Sequence, residues 1–235
     1  MHPTFRLILG SQSTYRAQAL GQLGLPFEQL PAHLDEQAQP TERFDELATR
    51  LAREKANAVA DSIFSAANPS TAAANSSTSA AGSSPSAAGA PIIVIGSDQV
   101  AVGPGGQPGS QLHKPGTAER AERQLASLSG QQAVFYTALH LLYLPVQEQS
   151  NSTKPTAQSF LDVTKVTFRK LSDEQIQAYV RKDQPEQCAG GFKVESLGIT
   201  LFEKVESEDP SALVGLPLIS LTKGLLALGI DPITL

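Results

Sequence analysis

Apolar and polar positions alternate along the chain with two periods, which predicts strands interleaved with amphipathic helices. Phe5 to Leu9 reads as a first strand, Leu20 and Leu23 belong to a helix ending at Gly24, and Phe27 to Leu30 reads as a second, short strand. Phe44, Leu47, Ala48, Leu51, Ala52, Val59 and Ile63 then recur at helical spacing and form one stripe. Ile92-Ile93-Val94-Ile95 is a run of β-branched residues that predicts a strand buried on both faces and ending at Gly96-Ser97-Asp98-Gln99. Glycines and prolines from Gly103 to Gly109 predict a hairpin loop returning through Leu112. A helix capped by Thr117 runs to Leu128, with Gly130 past its end. Ala133 to Leu144 and Phe160 to Arg169 read as long strands, and Ser172 to Gln175 is a capping box for a helix to Arg181. Ile199 to Val205 predicts a further strand, and Pro217 opens an apolar helix to Leu228 that serves the core or a dimer surface.

Two stretches break the pattern. From about Ser65 to Ala90 the chain is Ala, Ser, Thr, Asn, Gly and Pro, without charge, so it buries too little to offset its ordering entropy and reads as a disordered insertion. Gln147 to Gln158 is a second polar insertion of the same kind. Neither reads as a domain boundary, which leaves a single domain over residues 1–235.

Composition narrows the function. The chain is 40% hydrophobic and 17% charged with a net charge of -5, as expected of a globular protein, and offers no basic surface for a nucleic-acid polymer. Leu7-Ile8-Leu9 is too short for a membrane span or a signal peptide. Cys188 is the only cysteine, so no internal disulfide forms, and a cytoplasmic location is expected.

Candidate chemistry sits at the ends of these elements. Asp98 follows the β-branched run, where open α/β sheets collect ligands; it reads as a turn cap or as a catalytic acid, base or metal ligand. Ser11 and Ser13 precede a helix that carries Arg16, an arrangement that fits either an ordinary N-cap or a phosphate seat. Asp35 and Glu36 share a loop and matter only if they face Asp98. Lys55 lies four residues beyond Leu51 and four before Val59, so it points along the apolar stripe, either snorkelling to its edge or meeting an anion; Arg50, Arg53 and Glu54 are free to turn to solvent. Lys114, held extended by Pro115, is an exposed lysine or one that reaches back toward Asp98. Gly190-Gly191 allows close backbone approach, and alternation beyond it sends Lys193 and Glu195 to one side.

Ser11 to Arg16, Leu34-Asp35-Glu36, Arg53-Glu54-Lys55-Ala56, Gly96-Ser97-Asp98-Gln99, Lys114-Pro115, Gly190 to Glu195 and Val214-Gly215-Leu216-Pro217, in this order, resemble the Maf-like nucleoside triphosphate pyrophosphatases. The resemblance implies an α/β fold, a mixed elongated sheet with flanking helices and two lobes around a nucleotide cleft. It also implies hydrolysis between the α and β phosphates of a nucleoside triphosphate with a divalent cation, Mg²⁺ or Mn²⁺, and a homodimer. By resemblance Asp98 is the proton acceptor; Ser11, Ser13, Arg16 and Lys193 bind substrate; Glu36, Lys55 and Lys114 contact phosphate or metal, with Glu36 and Asp98 as the metal ligands. Tyr15, Gln99 and Glu195 match the branch that resembles 7-methyl-GTP pyrophosphatase; an aromatic face suits a cationic base, and a carboxylate suits its N1 and N2 donors. A UTP or dTTP pyrophosphatase, and a nucleotide-binding regulator of cell division without turnover, are the alternatives. His113 stands where the family usually has Gly, and Ser196-Leu197 where it has a Gly-aromatic pair.

Overall fold

The computed structural model describes residues 5–67, 90–107, 109–146 and 155–235. One edge of its sheet is parallel: β1 (Arg6–Leu9) pairs with β2 (Glu28–Gln29) on one side and β3 (Ile92–Val102) on the other. From β3 the sheet continues antiparallel through β5 (Gln132–Leu144), β6 (Thr156–Phe168) and β7 (Phe202–Glu206), while the short β4 (Gln111–Leu112) pairs with the last residues of β3. The long β3, β5 and β6 form the axis of an elongated mixed α/β sheet, flanked by α1 (Thr14–Gly21), α2 (Phe44–Ala67), α3 (Ala118–Leu128), α4 (Asp173–Asp183) and α5 (Leu218–Ala227).

Two apolar clusters sit at opposite ends of this axis. Leu20 of α1 and Leu221 and Leu225 of α5 pack with Leu9, Ile95 and Leu139. Leu125 of α3 and Ile176 of α4 pack with Phe135, Phe168 and Phe192, whose ring lies edge-on to both phenylalanines. These are the two lobes, and the antiparallel ribbon joins them.

β3 does not stop at Ile95, as its apolar run predicts. It continues to Val102 because β5 pairs with it throughout, from Ile92↔Leu144 to Val102↔Val134. The buried Ser97 hydroxyl is satisfied in mid-strand by donating to the carbonyls of Ala138 (2.9 Å) and Gly215 (2.8 Å). What stops is β1, whose Leu9 lies opposite Ile95. Because β4 rejoins this edge only at Ala101, residues 96–100 keep one open edge.

Other boundaries also shift. Leu197–Leu201 is a 3-10 turn rather than the start of a strand: Gly198 packs against the Lys193 backbone, and its N–H donates to the Lys193 carbonyl at 3.0 Å. β7 begins only at Phe202. Of the first insertion, Ser65 to Ala67 extend α2, and 68–89 lie outside the described residues. Of the second, Thr156 to Gln158 belong to β6, and 147–154 lie outside the described residues.

Gly96 sets the distance between α2 and the sheet. A Cβ there would lie 2.0 Å from the Ala52 carbonyl oxygen and 2.8 Å from the Ala56 nitrogen, so only glycine lets the helix approach so closely. That approach brings the helix residue Lys55 over β3.

Candidate active site

The open edge of β3 becomes a cleft between the lobes, with a volume of about 1260 Å³. One wall is the turn from Gly10 into α1, a second is the Glu36 loop with Lys55, a third is the segment through Lys114, and the far wall is Gln187 to Glu195.

Asp98 and Lys55 meet at its floor. Lys55 is 7% exposed and Asp98 6%, and the ammonium donates to Asp98 Oδ1. The same Nζ lies 2.7 Å from Glu36 Oε1, so a single cation draws two carboxylates from distant parts of the chain to one point. Snorkelling is therefore not the fate of Lys55. Its four-carbon stem runs along the apolar stripe, and its charge is matched by anions. Burial pushes the Glu36 carboxyl up, but Lys55, followed by Arg16 and Lys114, holds it below the usual carboxylate range. Glu36 thus feels three of the predicted cations together.

At the amino terminus of α1, Ser13 caps the helix by accepting from the Arg16 N–H (3.3 Å), the ordinary capping role. Ser11 is buried; its hydroxyl accepts from the Ser13 N–H at 3.2 Å and from Arg16 Nη1 at 3.4 Å. Arg16 is further fixed by donating Nε to the Gly215 carbonyl at 2.9 Å. Gly215 has φ 104°, which turns that carbonyl back toward α1. A cap and a fixed guanidinium at a helix amino terminus make an anion seat.

At the other end, Tyr15, Cys188 and Glu195 line the cleft. Burial, with the nearby Cys188 adding to it, raises the Tyr15 phenol. Burial likewise raises the Cys188 thiol, which keeps it protonated at neutral pH. Gln99 Nε2 donates to Thr137 Oγ1 (3.0 Å), the Ala212 carbonyl (2.9 Å) and the Leu213 carbonyl (3.3 Å). Its amide donors are thus taken up by Thr137 and the 212–213 carbonyls.

Lys193 differs from its predicted place. Alternation beyond Gly191 is replaced by a turn, and its Nζ donates to the Asp183 carbonyl at 2.6 Å, while its charge also acts on Tyr15 and Cys188 at the cleft wall. Arg50 does not turn to solvent either; its side chain is 13% exposed and held by Glu42 and Glu54. Thr137 and the carbonyls of 212, 213 and 215, which orient Gln99 and Arg16, escaped sequence reasoning, because main-chain acceptors leave no mark on residue type.

A family model described as Maf-like protein matches residues 6–228. The chain is 41% identical over 218 residues to a 7-methyl-GTP pyrophosphatase of Nitrosococcus oceani, covering 92% of this chain and 90% of that protein. It is 42% identical over 229 residues to one of Polaromonas sp., covering 97% and 87%. A third, from Thiobacillus denitrificans, is 40% identical over 228 residues, with 97% and 94% covered.

Proposed function

Since the chain belongs to the family of Maf-like proteins, we propose that it is a nucleoside triphosphate pyrophosphatase that hydrolyses 7-methyl-GTP, or a closely related modified nucleotide, to the monophosphate and pyrophosphate. The observation that carries this reading is the convergence of Asp98 and Glu36 on Lys55, on the floor of a cleft also lined by Arg16 and Lys114. The relatives' names supply the substrate.

In this reading Arg16, the amino terminus of α1 and Lys114 hold the phosphates and stabilise charge developing on the leaving pyrophosphate. Asp98 Oδ accepts a proton from water as the water oxygen bonds to the α phosphorus and the bond from that phosphorus to the bridging oxygen breaks. Lys55 holds the Asp98 carboxylate in place and keeps Glu36 beside it. The two carboxylates, both aimed at one ammonium, are hard oxygen donors of the kind Mg²⁺ or Mn²⁺ accepts, so Glu36 and Asp98 are the residues that would hold a divalent cation. Such a cation supplies Lewis-acid stabilisation of phosphate oxygens and lowers the pKa of water.

The base is read by Tyr15 of α1, Gln99 of β3 and Glu195 of the far wall. N7 methylation makes guanine cationic, so Tyr15, which lines the cleft, offers a π face to it, while the Glu195 carboxylate and the Gln99 amide oxygen are the acceptors for donors such as N1–H and N2–H. A cytoplasmic location, supported by a single cysteine, and a homodimer belong to the same proposal; among the described residues no helix is long and apolar enough to cross a membrane. Incubating the purified protein with Mg²⁺ and 7-methyl-GTP should release pyrophosphate and monophosphate. Binding without product would point instead to a non-hydrolysing regulator, and faster release from UTP or dTTP to the other branch of the family.

A further inference from the structure

The Glu36 carboxylate is delivered to the cleft by an irregular stretch, Leu30 to Arg43, and its side chain is 57% exposed. Lys55 alone would hold it loosely, because a residue on a long loop loses its place whenever the loop moves. The stretch is fastened elsewhere, by Arg50. Its Nη2 donates to the carbonyl of Gln37, the residue after Glu36, at 3.0 Å. Its Nε and Nη2 grip both oxygens of Glu42 at 2.7 and 2.9 Å, and Nη1 donates to Glu54 at 2.9 Å. Glu42 in turn accepts from the Gln39 N–H at 2.9 Å, and Asp35 from the Gln37 N–H at 3.1 Å.

The bonds to Gln37, Gln39 and Glu42 constrain the backbone that follows Glu36, the Asp35–Gln37 bond spans it, and Glu54 steadies the guanidinium from within α2. The Arg50 and Glu42 side chains are 13% and 8% exposed, so this ion pair is partly withdrawn from water. A planar fork with donors on three nitrogens can bind a carboxylate and a carbonyl together; an ammonium cannot do so with the same geometry. Arg50 also stands on the helix that carries Lys55, so one rigid element supplies both the cation that meets Glu36 and the clasp that holds its loop.

We propose that Arg50 is a positioning residue for the reaction, acting through Glu36: it fixes the loop so that the Glu36 carboxylate stays beside Lys55 and Asp98. This rests on the functional reading above and adds to it a residue outside the cleft wall. The experiment compares Arg50→Met, Arg50→Lys and Glu42→Gln in the full chain, with 7-methyl-GTP and Mg²⁺. Arg50→Met should lower kcat by about tenfold to a hundredfold while nucleotide KM changes less than about threefold, because phosphate and base contacts remain. Arg50→Lys and Glu42→Gln should fall between it and the wild type. In a Glu36→Gln background the Arg50→Met change should alter kcat less than about twofold, since the group it positions is already lost. Amide hydrogen exchange across residues 37–42 should accelerate by about tenfold while the centre of α2 stays protected.

Equal loss of kcat in both backgrounds would overturn the proposal, as would normal turnover together with unchanged exchange in Arg50→Met. If the wild-type protein turned over no nucleotide, the functional reading would fall, and the exchange comparison would still confirm or overturn the hold of Arg50 on the loop.

Discussion

Replacing Lys55 by methionine tests the charge cluster at the cleft floor, because it keeps most of the apolar stem and removes the ammonium. Asp98 is 6% exposed and would lose the cation that offsets its burial. Breaking a buried pair on one side costs about 3–5 kcal/mol. Glu36 adds little, since its side chain is 57% exposed and water can solvate it. At about 2–4 °C per kcal/mol for a chain of this size, the melting midpoint should fall by roughly 6–20 °C. The assay is a double-mutant cycle with Asp98→Asn, followed by urea unfolding. Lys55→Met with Asp98→Asn should recover much of the loss, giving a coupling of about 2 kcal/mol or more, because the neutral amide no longer needs the cation. Turnover should stay absent in both single variants and in the double one, which separates folding from chemistry. Coupling below about 0.5 kcal/mol would refute the view that these two side chains form an energetically linked pair.

Gly96→Ala places a methyl group 2.0 Å from the Ala52 carbonyl oxygen, so α2 must retreat; urea unfolding should show a loss of about 3 kcal/mol or more, with kcat falling as Lys55 leaves Asp98. Tyr15→Arg or Glu195→Gln should reduce the kcat/KM preference for 7-methyl-GTP over GTP by about tenfold, and an unchanged ratio would remove these residues from base recognition. Burial, aided by Arg53, lowers the pKa of His140 below 6.5. Protonation is therefore harder in the folded state, so stability is full above about pH 6.5 and declines as pH falls through the folded value. Urea midpoints between pH 7.5 and 5 should show this slope, and His140→Asn should reduce it.

Much of the site was legible because two of its parts obey local rules. Lys55 stands out on helical spacing alone: a cation on an apolar stripe needs an anion, and the structure supplies two. Glycine before a polar pair marked β3, although the reason lay elsewhere. Gly96 admits α2, and Asp98 sits in mid-strand beside the end of β1 rather than at the end of its own strand. Strand ends depend on partners, and β5 lies far away in sequence. The backbone beyond Lys193 departs from alternation for a similar reason, because Gly198 folds back on it and converts the pattern into a turn. Helical spacing alone leaves Arg50 free to face solvent, because it ignores what a loop lays across the helix.

The most direct measurement is the product analysis of purified protein with Mg²⁺ across a panel of 7-methyl-GTP, GTP, UTP and dTTP, run beside Asp98→Asn. The expected result is pyrophosphate and nucleoside monophosphate in equal amounts, fastest from 7-methyl-GTP, and nearly absent with a folded Asp98→Asn variant. Stepwise release of orthophosphate, or a normal rate in Asp98→Asn, would contradict hydrolysis at the α phosphorus by the Asp98, Lys55 and Glu36 cluster.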